Sequence, residues 1–283
     1  MSSGMRNVSA SGIYTDLMRK FRDEGHEVYI IYPNERRTGL PTAVEVNNGV
    51  HCLGVRTLNV TKTSIIEKGI GQLLLENLFM RAMNRYFGNV RFDLILYSTP
   101  PITFNKVIKA AKRRNPEAMT YLLLKDIFPQ NAVDLGMMTK TGVKGMLYKM
   151  FRKKEKELYR ISDFIGCMSP ANVRFVLEHN PEVKAEKVEI APNSYDVPLE
   201  SQRVNKTTRQ QDNKSKSDGV VVGDEAKRIR EKYGLPTDKP IFIYGGNMGK
   251  PQGIPFLVEC MRAVKNREDC HFVIVGDGTE YPK

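Results

Sequence analysis

The sequence lacks long apolar runs and the commonest catalytic and nucleotide-binding signatures. Its 283 residues contain no stretch of 18 or more apolar residues, so we expect no segment to span a bilayer. Residues Met1–Ala10 are polar and have no apolar core, so we expect no signal peptide there. The patterns GxSxG, HExxH and GxxxxGKS/T are absent. Their absence argues against the commonest hydrolases, metalloproteases and P-loop proteins.

Cysteine and histidine are scarce and scattered. The 4 cysteines have no CxxC spacing, which argues against a structural zinc site or a disulfide framework and fits a reducing cytoplasm. The 4 histidines form no ligand spacing either. We therefore predict that the protein holds no metal.

What the sequence does contain is typical of a globular protein with an excess of positive charge. Hydrophobic residues make up 41% and charged residues 27%, and the length is comfortable for two domains. The formal charge of +12 fits nucleic acid, an anionic membrane surface, phosphorylated ligands or solubility alone.

Predicted strands alternate with helices through the first two thirds of the chain. This alternation predicts a doubly wound parallel sheet that is covered on both faces. The strands are expected at Glu27–Tyr32, Gly49–Val55, Phe92–Tyr97, Met119–Leu124, Asp163–Met168 and Val188–Ala191.

The chain then changes character and starts a second α/β unit. Residues 198–219 are polar, with almost nothing to bury, which is typical of a linker. Predicted strands at Pro240–Tyr244 and Cys270–Val275 flank one helix. We assign 1–197 to a first domain, 198–235 to a variable basic linker and 236–283 to the start of a second domain. Two strands and one helix cannot bury a sheet on both faces, so we expect the second domain to be incomplete.

A glycine-rich loop after the first strand of the second unit is the strongest candidate site. Gly245, Gly246 and Gly249 allow backbone amides to approach a ligand, and the following helix directs its positive end towards it. Asn247 adds a hydrogen-bonding side chain and Lys250 a mobile charge. The arrangement suits a diphosphate; the alternative is a tight turn that binds nothing.

Two other strand ends carry candidate residues. Gly276-Asp277-Gly278 follows the next strand, and ligands of open α/β sheets gather at the carboxyl ends of strands. Asp126 follows the strand Met119–Leu124, where a carboxylate can act as a general base or orient an acceptor hydroxyl. The alternative is that Asp126 only caps the next segment.

A basic helix predicted over residues 145–162 is interleaved with methionine and aromatic residues. This mixture suits an anionic membrane surface, and the alternative is an ordinary solvated helix face. A nucleic-acid groove is disfavoured, because no helix-turn-helix, zinc finger or RNP pattern is present. The predicted membrane contacts are Lys149, Arg152, Lys153 and Lys154.

Taken in order, four stretches resemble the nucleotide-sugar-dependent glycosyltransferases of family 4. The match covers nearly the whole chain apart from the linker, and the order and spacing of the stretches carry it. The stretches are Ser11–Tyr14 with Gly25–Val28, Lys125–Pro129 with Leu135-Gly136, Ser162–Ser169 with Lys187–Asn193, and Tyr244–Lys250 with Val275–Gly278.

The resemblance implies the GT-B fold, with two Rossmann-like doubly wound domains that bind the acceptor and the nucleotide sugar respectively. It implies transfer with retention at the anomeric carbon and without a metal. It would place Gly12, with Ser11, against the donor. It would place Gly246, Asn247 and Lys250 around the diphosphate, and Asp126 beside the acceptor.

The second stretch is typical of members that build capsular and O-antigen polysaccharides. We therefore expect transfer from a nucleotide-diphosphate sugar, with UDP as the expected nucleotide, to a lipid-linked glycan. The expected location is the cytoplasm, peripheral on the inner face of the cytoplasmic membrane.

The sequence departs from the family pattern in three places. Many relatives carry an arginine and a lysine at the glycine loop, where this chain has Asn247 and Gln252, and Lys250 is expected to substitute as the cation. The family's E-x7-E motif would lie beyond Lys283, and no apolar strand precedes the Ser11-Gly12 turn. The chain is therefore expected to be clipped at both ends.

A catalytically inactive, membrane-associated binding module is the alternative function, and a GT-B epimerase is disfavoured by the Lys125–Pro129 segment.

Overall fold

The chain folds into two compact α/β units. The computed structural model describes residues 7–60, 63–196, 224–278 and 280. Unit 1 is Met1–Val197 and unit 2 is Pro198–Lys283.

Unit 1 contains seven strands and six helices among its described residues. The strands are β1 (Val28–Glu35), β2 (Ala43–Asn47), β3 (Val50–Thr57), β4 (Leu94–Thr99), β5 (Met119–Leu124), β6 (Phe164–Cys167) and β7 (Val188–Ile190). The helices are α1 (Ile13–Asp23), α2 (Ile65–Tyr86), α3 (Asn105–Arg114), α4 (Gln130–Asp134), α5 (Gly142–Ile161) and α6 (Pro170–His179). Short 3-10 turns lie at Arg36–Thr38 and Ala185–Lys187.

The strands of unit 1 form two sheets. One has the order β1-β3-β2 and the other β4-β5-β6-β7. All pairs are parallel except β2 with β3, and parallel pairing places the carboxyl ends of β4 to β7 at one edge. The predicted parallel strands are thus present, but they are divided between two sheets, and the antiparallel edge strand β2 was not predicted.

The β2–β3 hairpin owes its turn to Asn48-Gly49. The φ angles of these residues are 50° and 74°, and two consecutive positive φ angles are what a two-residue hairpin turn of type I′ requires. Asparagine and glycine adopt such angles most readily. The turn brings Asn47 opposite Val50 and returns β2 along β3.

The sheet containing β1 and β3 is covered on both faces. Inward-facing Ile30 and Val50 pack with Met18 and Phe21 of α1 on one side. On the other side, Leu53 and Val55 pack with a row of buried α2 residues, namely Leu75, Phe79 and Ala82. These α2 residues are therefore part of the core of unit 1.

The β4–β7 sheet builds the largest core. Leu122 and Ile165 are fully buried at its centre. They pack against Ile108 of α3, Leu158 of α5 and Val176 of α6. Helix α6 begins with a side-chain cap, since the Ser169 hydroxyl accepts a hydrogen bond from the Asn172 amide at 3.2 Å.

Unit 2 contains two parallel strands and two helices among its described residues. They are α7 (Asp224–Lys232), β8 (Ile241–Asn247), α8 (Ile254–Ala263) and β9 (His271–Asp277), with a 3-10 turn at Lys250–Gln252. Helix α7 lies inside the segment predicted as a linker. It carries little to bury, which is why no apolar stripe predicted it, and Arg230 ties it to the carbonyls of Pro236 and Lys239 at 3.0 Å each.

Apolar side chains of unit 2 remain accessible. Ile243 is 68% exposed, Phe256 71% and Val275 60%. Ile243 and Val275 lie on strands β8 and β9, and such residues of a parallel sheet are normally covered by helices.

Candidate functional site

The carboxyl-end edge of the β4–β7 sheet gathers polar side chains from four elements. Asp126 and Lys125 follow β5, Asn193 follows β7, and Ser98 lies near the end of β4. Tyr14 of α1 donates its hydroxyl hydrogen bond to the Ser98 hydroxyl at 3.0 Å. This cluster is the candidate site of unit 1, at the edge where ligands of open α/β sheets bind.

Asp126 is held through its backbone rather than its side chain. The Thr99 hydroxyl donates to the Asp126 carbonyl at 3.1 Å and lies 3.5 Å from the Asp126 amide. No described cation forms an ion pair with the carboxylate. Desolvation by the surrounding atoms raises the pKa of Asp126, although the residue is exposed. A carboxylate with a raised pKa is a better proton acceptor near neutral pH.

Lys125 extends from the same strand end towards α1 and β7. Its ammonium donates to Asn193 Oδ1 and lies 5.7 Å from the centre of the Tyr14 ring. Burial lowers the pKa of Lys125. The sequence prediction named only Asp126 here.

Helix α1 begins in a network around the buried carboxylate of Asp16. The carboxylate accepts hydrogen bonds from the amides of Gly12 and Asp196 at 3.0 Å each. It also accepts from the Ser11 hydroxyl at 3.3 Å and from Arg19 at 2.5 Å. Burial by itself raises the pKa of Asp16, but the two amides and the Arg19 charge outweigh it, and the pKa lies below its usual range.

This network changes the interpretation of Gly12. The resemblance places Gly12 against the donor, yet its amide hydrogen points at Asp16 and is already satisfied. A side chain added to Gly12 would meet the Thr15 hydroxyl at 3.1 Å, so the turn is tight. Contact of Gly12 with a donor stays a prediction, and it would use atoms other than this amide hydrogen.

In unit 2 the two glycine turns pack against each other. The Met248 amide donates to the Asp277 carbonyl at 2.9 Å, and the Glu280 amide donates to the Met248 carbonyl at 2.8 Å. A Cβ on Gly276 would lie 2.1 Å from the Gly246 carbonyl oxygen, and one on Gly278 would lie 2.4 Å from Met248. Both glycines are therefore required for backbone packing. Their predicted contact with a donor remains a prediction.

The other predicted donor residues lie on the accessible side of this turn. Asn247 and the Gly249 amide both donate to Gln252 Oε1, at 3.3 and 3.2 Å. Gln252 therefore orders the loop. Lys250 is exposed and forms no ion pair with the described residues, and it precedes the amino end of α8. The loop thus presents a positive side chain and a helix amino end together.

The four predicted membrane contacts of α5 differ in their exposure and in their protein partners. Arg152 is structural, because it pairs with Glu155 at 2.6 Å and donates to His179 and Asn180. Lys154 is only half-buried, whereas Lys149 and Lys153 are exposed.

The exposed lysines share a helix face with methionines. Met146 is 73% and Met150 51% exposed, and with Lys149 and Lys153 they follow the i, i+3, i+4, i+7 spacing of one face. We name these four residues the α5 face. Within the described chain, no helix is both long and apolar enough to cross a membrane.

Comparison with known proteins identifies the architecture. No family model matches the chain. A stretch of 61 residues is 41% identical to the alpha-D-kanosaminyltransferase of Streptomyces kanamyceticus, and the match covers 20% of this chain and 16% of that protein.

Among solved structures, the E. coli trehalose-6-phosphate structure bound with UDP-2-fluoro glucose matches with a TM-score of 0.59 and 8% identity. An alpha,alpha-trehalose-phosphate synthase (UDP-forming) from Burkholderia vietnamiensis matches with a TM-score of 0.56 and 11% identity. Each match covers 97% of this chain.

The fold is GT-B. The predicted fold class is therefore confirmed, and the proteins that the chain matches are glycosyltransferases. The chain spans 63% and 62% of the two GT-B structures, and its match covers 16% of the curated relative.

Proposed function

We propose that the protein is a glycosyltransferase that moves a sugar from a nucleotide-diphosphate donor to a lipid-linked glycan, with retention at the anomeric carbon. The observation that carries the proposal is the glycine loop of unit 2. It sets the exposed Lys250 beside the amino end of α8, at the carboxyl end of a parallel strand. The GT-B matches, one of them to a structure with a UDP-sugar analogue bound, support this assignment.

The chemistry follows from where charge develops. The bond between the anomeric carbon and the diphosphate oxygen breaks, and a bond to the acceptor hydroxyl oxygen forms. Negative charge grows on the departing diphosphate, which Lys250 and the amino end of α8 stabilise. The hydroxyl proton passes to a base, and Asp126, whose pKa is raised, is the residue we assign to orient or accept it.

The α5 face supplies the proposed contact with the membrane. Two methionines and two lysines on one exposed helix face match the composition of helices that lie in the interface plane. The lysines attract anionic headgroups while the methionines enter the acyl boundary. This location, on the inner face of the cytoplasmic membrane, would hold the protein beside a lipid-linked acceptor.

Donor binding is the first test. We would measure UDP binding to wild type and to Lys250→Ala by calorimetry, with Lys265→Ala as the matched control. Lys265 is an exposed lysine of the same unit beyond the far end of α8. Loss of one charged contact is expected to weaken UDP binding about tenfold in Lys250→Ala. Equal affinities in the two variants would reject the assignment of Lys250.

Vesicle binding tests the membrane contact. Wild type should sediment with vesicles containing phosphatidylglycerol, and the double variant Met146→Ser, Met150→Ser should bind about tenfold more weakly, because two apolar side chains no longer enter the bilayer. Val46→Ser is the control, since Val46 is 66% exposed on the edge strand β2. Undiminished binding by the double variant would reject the α5 face.

The alternative function is a binding module without transferase activity. The same α5 face would serve it, so vesicle binding does not separate the two functions. Donor binding does: a module binds anionic vesicles but no UDP-sugar, whereas a transferase binds both.

A further inference from the structure

Lys125 is an ammonium whose protein partners are neutral. It donates to the amide oxygen of Asn193 and lies over the ring of Tyr14. No described carboxylate forms an ion pair with it. Other partly buried lysines of unit 1 differ in this respect: Lys109 pairs with Glu157, and Lys112 lies 3.5 Å from Asp163.

A partly desolvated charge without a counter-ion is costly for the fold. Burial lowers the pKa of Lys125, which means that the charged form is disfavoured where it stands. Such arrangements concentrate at functional sites, because a ligand of opposite charge relieves the cost. The position of Lys125, at the carboxyl edge of the β4–β7 sheet, is one at which ligands of such sheets bind.

The two side chains that contact the ammonium, Asn193 and Tyr14, carry no negative charge and so do not repel an anion. Asn193 retains its amide hydrogens for a second ligand contact while its oxygen accepts from Lys125. The hydrogen bond from Tyr14 to Ser98 orients the tyrosine ring beside the Lys125 ammonium. Asp126 follows Lys125 directly, at the same carboxyl edge of the sheet.

We propose that Lys125, Asn193 and Tyr14 form an anion subsite that binds the phosphate group of a phosphate-bearing acceptor. This inference rests on the proposed function and names the chemical class of the acceptor. The diphosphate of the donor is the other source of such a group. The acceptor is favoured because Lys125 directly precedes Asp126, the residue proposed to orient the acceptor hydroxyl.

The test uses inorganic pyrophosphate as the probe, measured by equilibrium dialysis with UDP present at saturation. Lys125→Met keeps the length of the side chain and removes its charge, and Lys125→Arg restores the charge. Lys140→Met is the matched control, because Lys140 also lies over a tyrosine ring, 5.6 Å from the centre of Tyr148. Pyrophosphate affinity is expected to fall about tenfold in Lys125→Met and to be kept in Lys125→Arg and Lys140→Met.

UDP affinity measured separately distinguishes the two sources. Unchanged UDP binding by Lys125→Met, together with the loss of pyrophosphate binding, supports an acceptor phosphate. An equal loss of UDP binding overturns that assignment in favour of the donor. Pyrophosphate binding that is unchanged in Lys125→Met overturns the subsite itself.

Two controls keep these outcomes separate from folding and from the proposed function. If Lys125→Met does not fold, pyrophosphate binding by wild type and by Lys125→Arg is measured as a function of pH. The two pH profiles should differ, because a lysine loses its charge at high pH and an arginine does not. Identical profiles would show that Lys125 does not bind the anion. If wild type fails to bind UDP, the donor proposal fails, while pyrophosphate dialysis without UDP still tests Lys125.

Discussion

Replacing Asp16 by asparagine tests how unit 1 is held together. The carboxylate is 5% exposed and accepts hydrogen bonds from Ser11, Gly12, Arg19 and Asp196. An asparagine keeps one acceptor oxygen and turns its NH2 group towards donors. It therefore loses two of these bonds and the charge that balances Arg19.

The magnitude follows from the number and kind of bonds lost. A hydrogen bond to a charged group contributes about 1.5–3 kcal/mol, and breaking a buried charge pair costs about 3–5 kcal/mol. We expect Asp16→Asn to lower the free energy of unfolding by about 3 kcal/mol at pH 7. Urea unfolding followed by near-ultraviolet circular dichroism measures this, since most tyrosines lie in unit 1.

The pH dependence has a definite sign. In the folded protein the pKa of Asp16 lies below the ordinary value of 3.8, so its contribution to stability is present above that value. It is lost as the pH falls through the lower folded-state pKa. The difference between wild type and Asp16→Asn should therefore be constant near neutrality and close below about pH 4.

Asp23→Asn is the matched control on the same helix. Its carboxylate is 57% exposed and faces Arg22, so the change should cost less than about 0.5 kcal/mol. A loss below about 1 kcal/mol in Asp16→Asn, or a difference that persists unchanged to pH 3, would show that the carboxylate does not hold this network.

Two further predictions concern the glycine turns and the cysteines. Gly276→Ala should unfold unit 2 or abolish UDP binding, because its methyl group meets a backbone carbonyl, whereas Gly245→Ala should fold normally, because no atom lies within 4 Å of its Cβ position. Thermal unfolding and calorimetry compare the two. Cys260 is exposed and should react quickly with a thiol reagent at pH 8. Cys52 and Cys167 should react only on unfolding, because burial raises the pKa of each to about 11; fast modification of all cysteines in the folded protein would contradict this.

The sequence was informative where one apolar run fills one buried strand. The predicted Met119–Leu124 agrees with β5, since a strand buried in a parallel sheet has a continuous apolar run with clear ends. Sequence reasoning missed β2, because its residues are half-exposed and few. The Asn48-Gly49 pair was the signal that predicts a hairpin there.

The candidate site could be predicted only in part. Asp126 follows a predicted strand, so its place at the carboxyl edge followed from local pattern. The partners of Lys125 and Tyr14 could not be found that way, because Lys125 meets Asn193 across 68 residues and Tyr14 meets Ser98 across 84. Such contacts depend on strand order, which local periodicity does not contain. The same limit applies to Arg152, whose contacts join α5 to the end of α6 and whose predicted membrane contact stays a prediction.

The network around Asp16 also joins the two ends of the described part of unit 1. One carboxylate joins the turn before α1 to Asp196, 180 residues further along the chain. A displacement of the backbone at Asp196 is therefore transmitted through this carboxylate to the opening turn of α1. That turn also carries Tyr14, whose hydroxyl binds Ser98 at the candidate site. Asp196 is thus linked, through Asp16 and the first turn of α1, to a residue proposed to meet the acceptor phosphate.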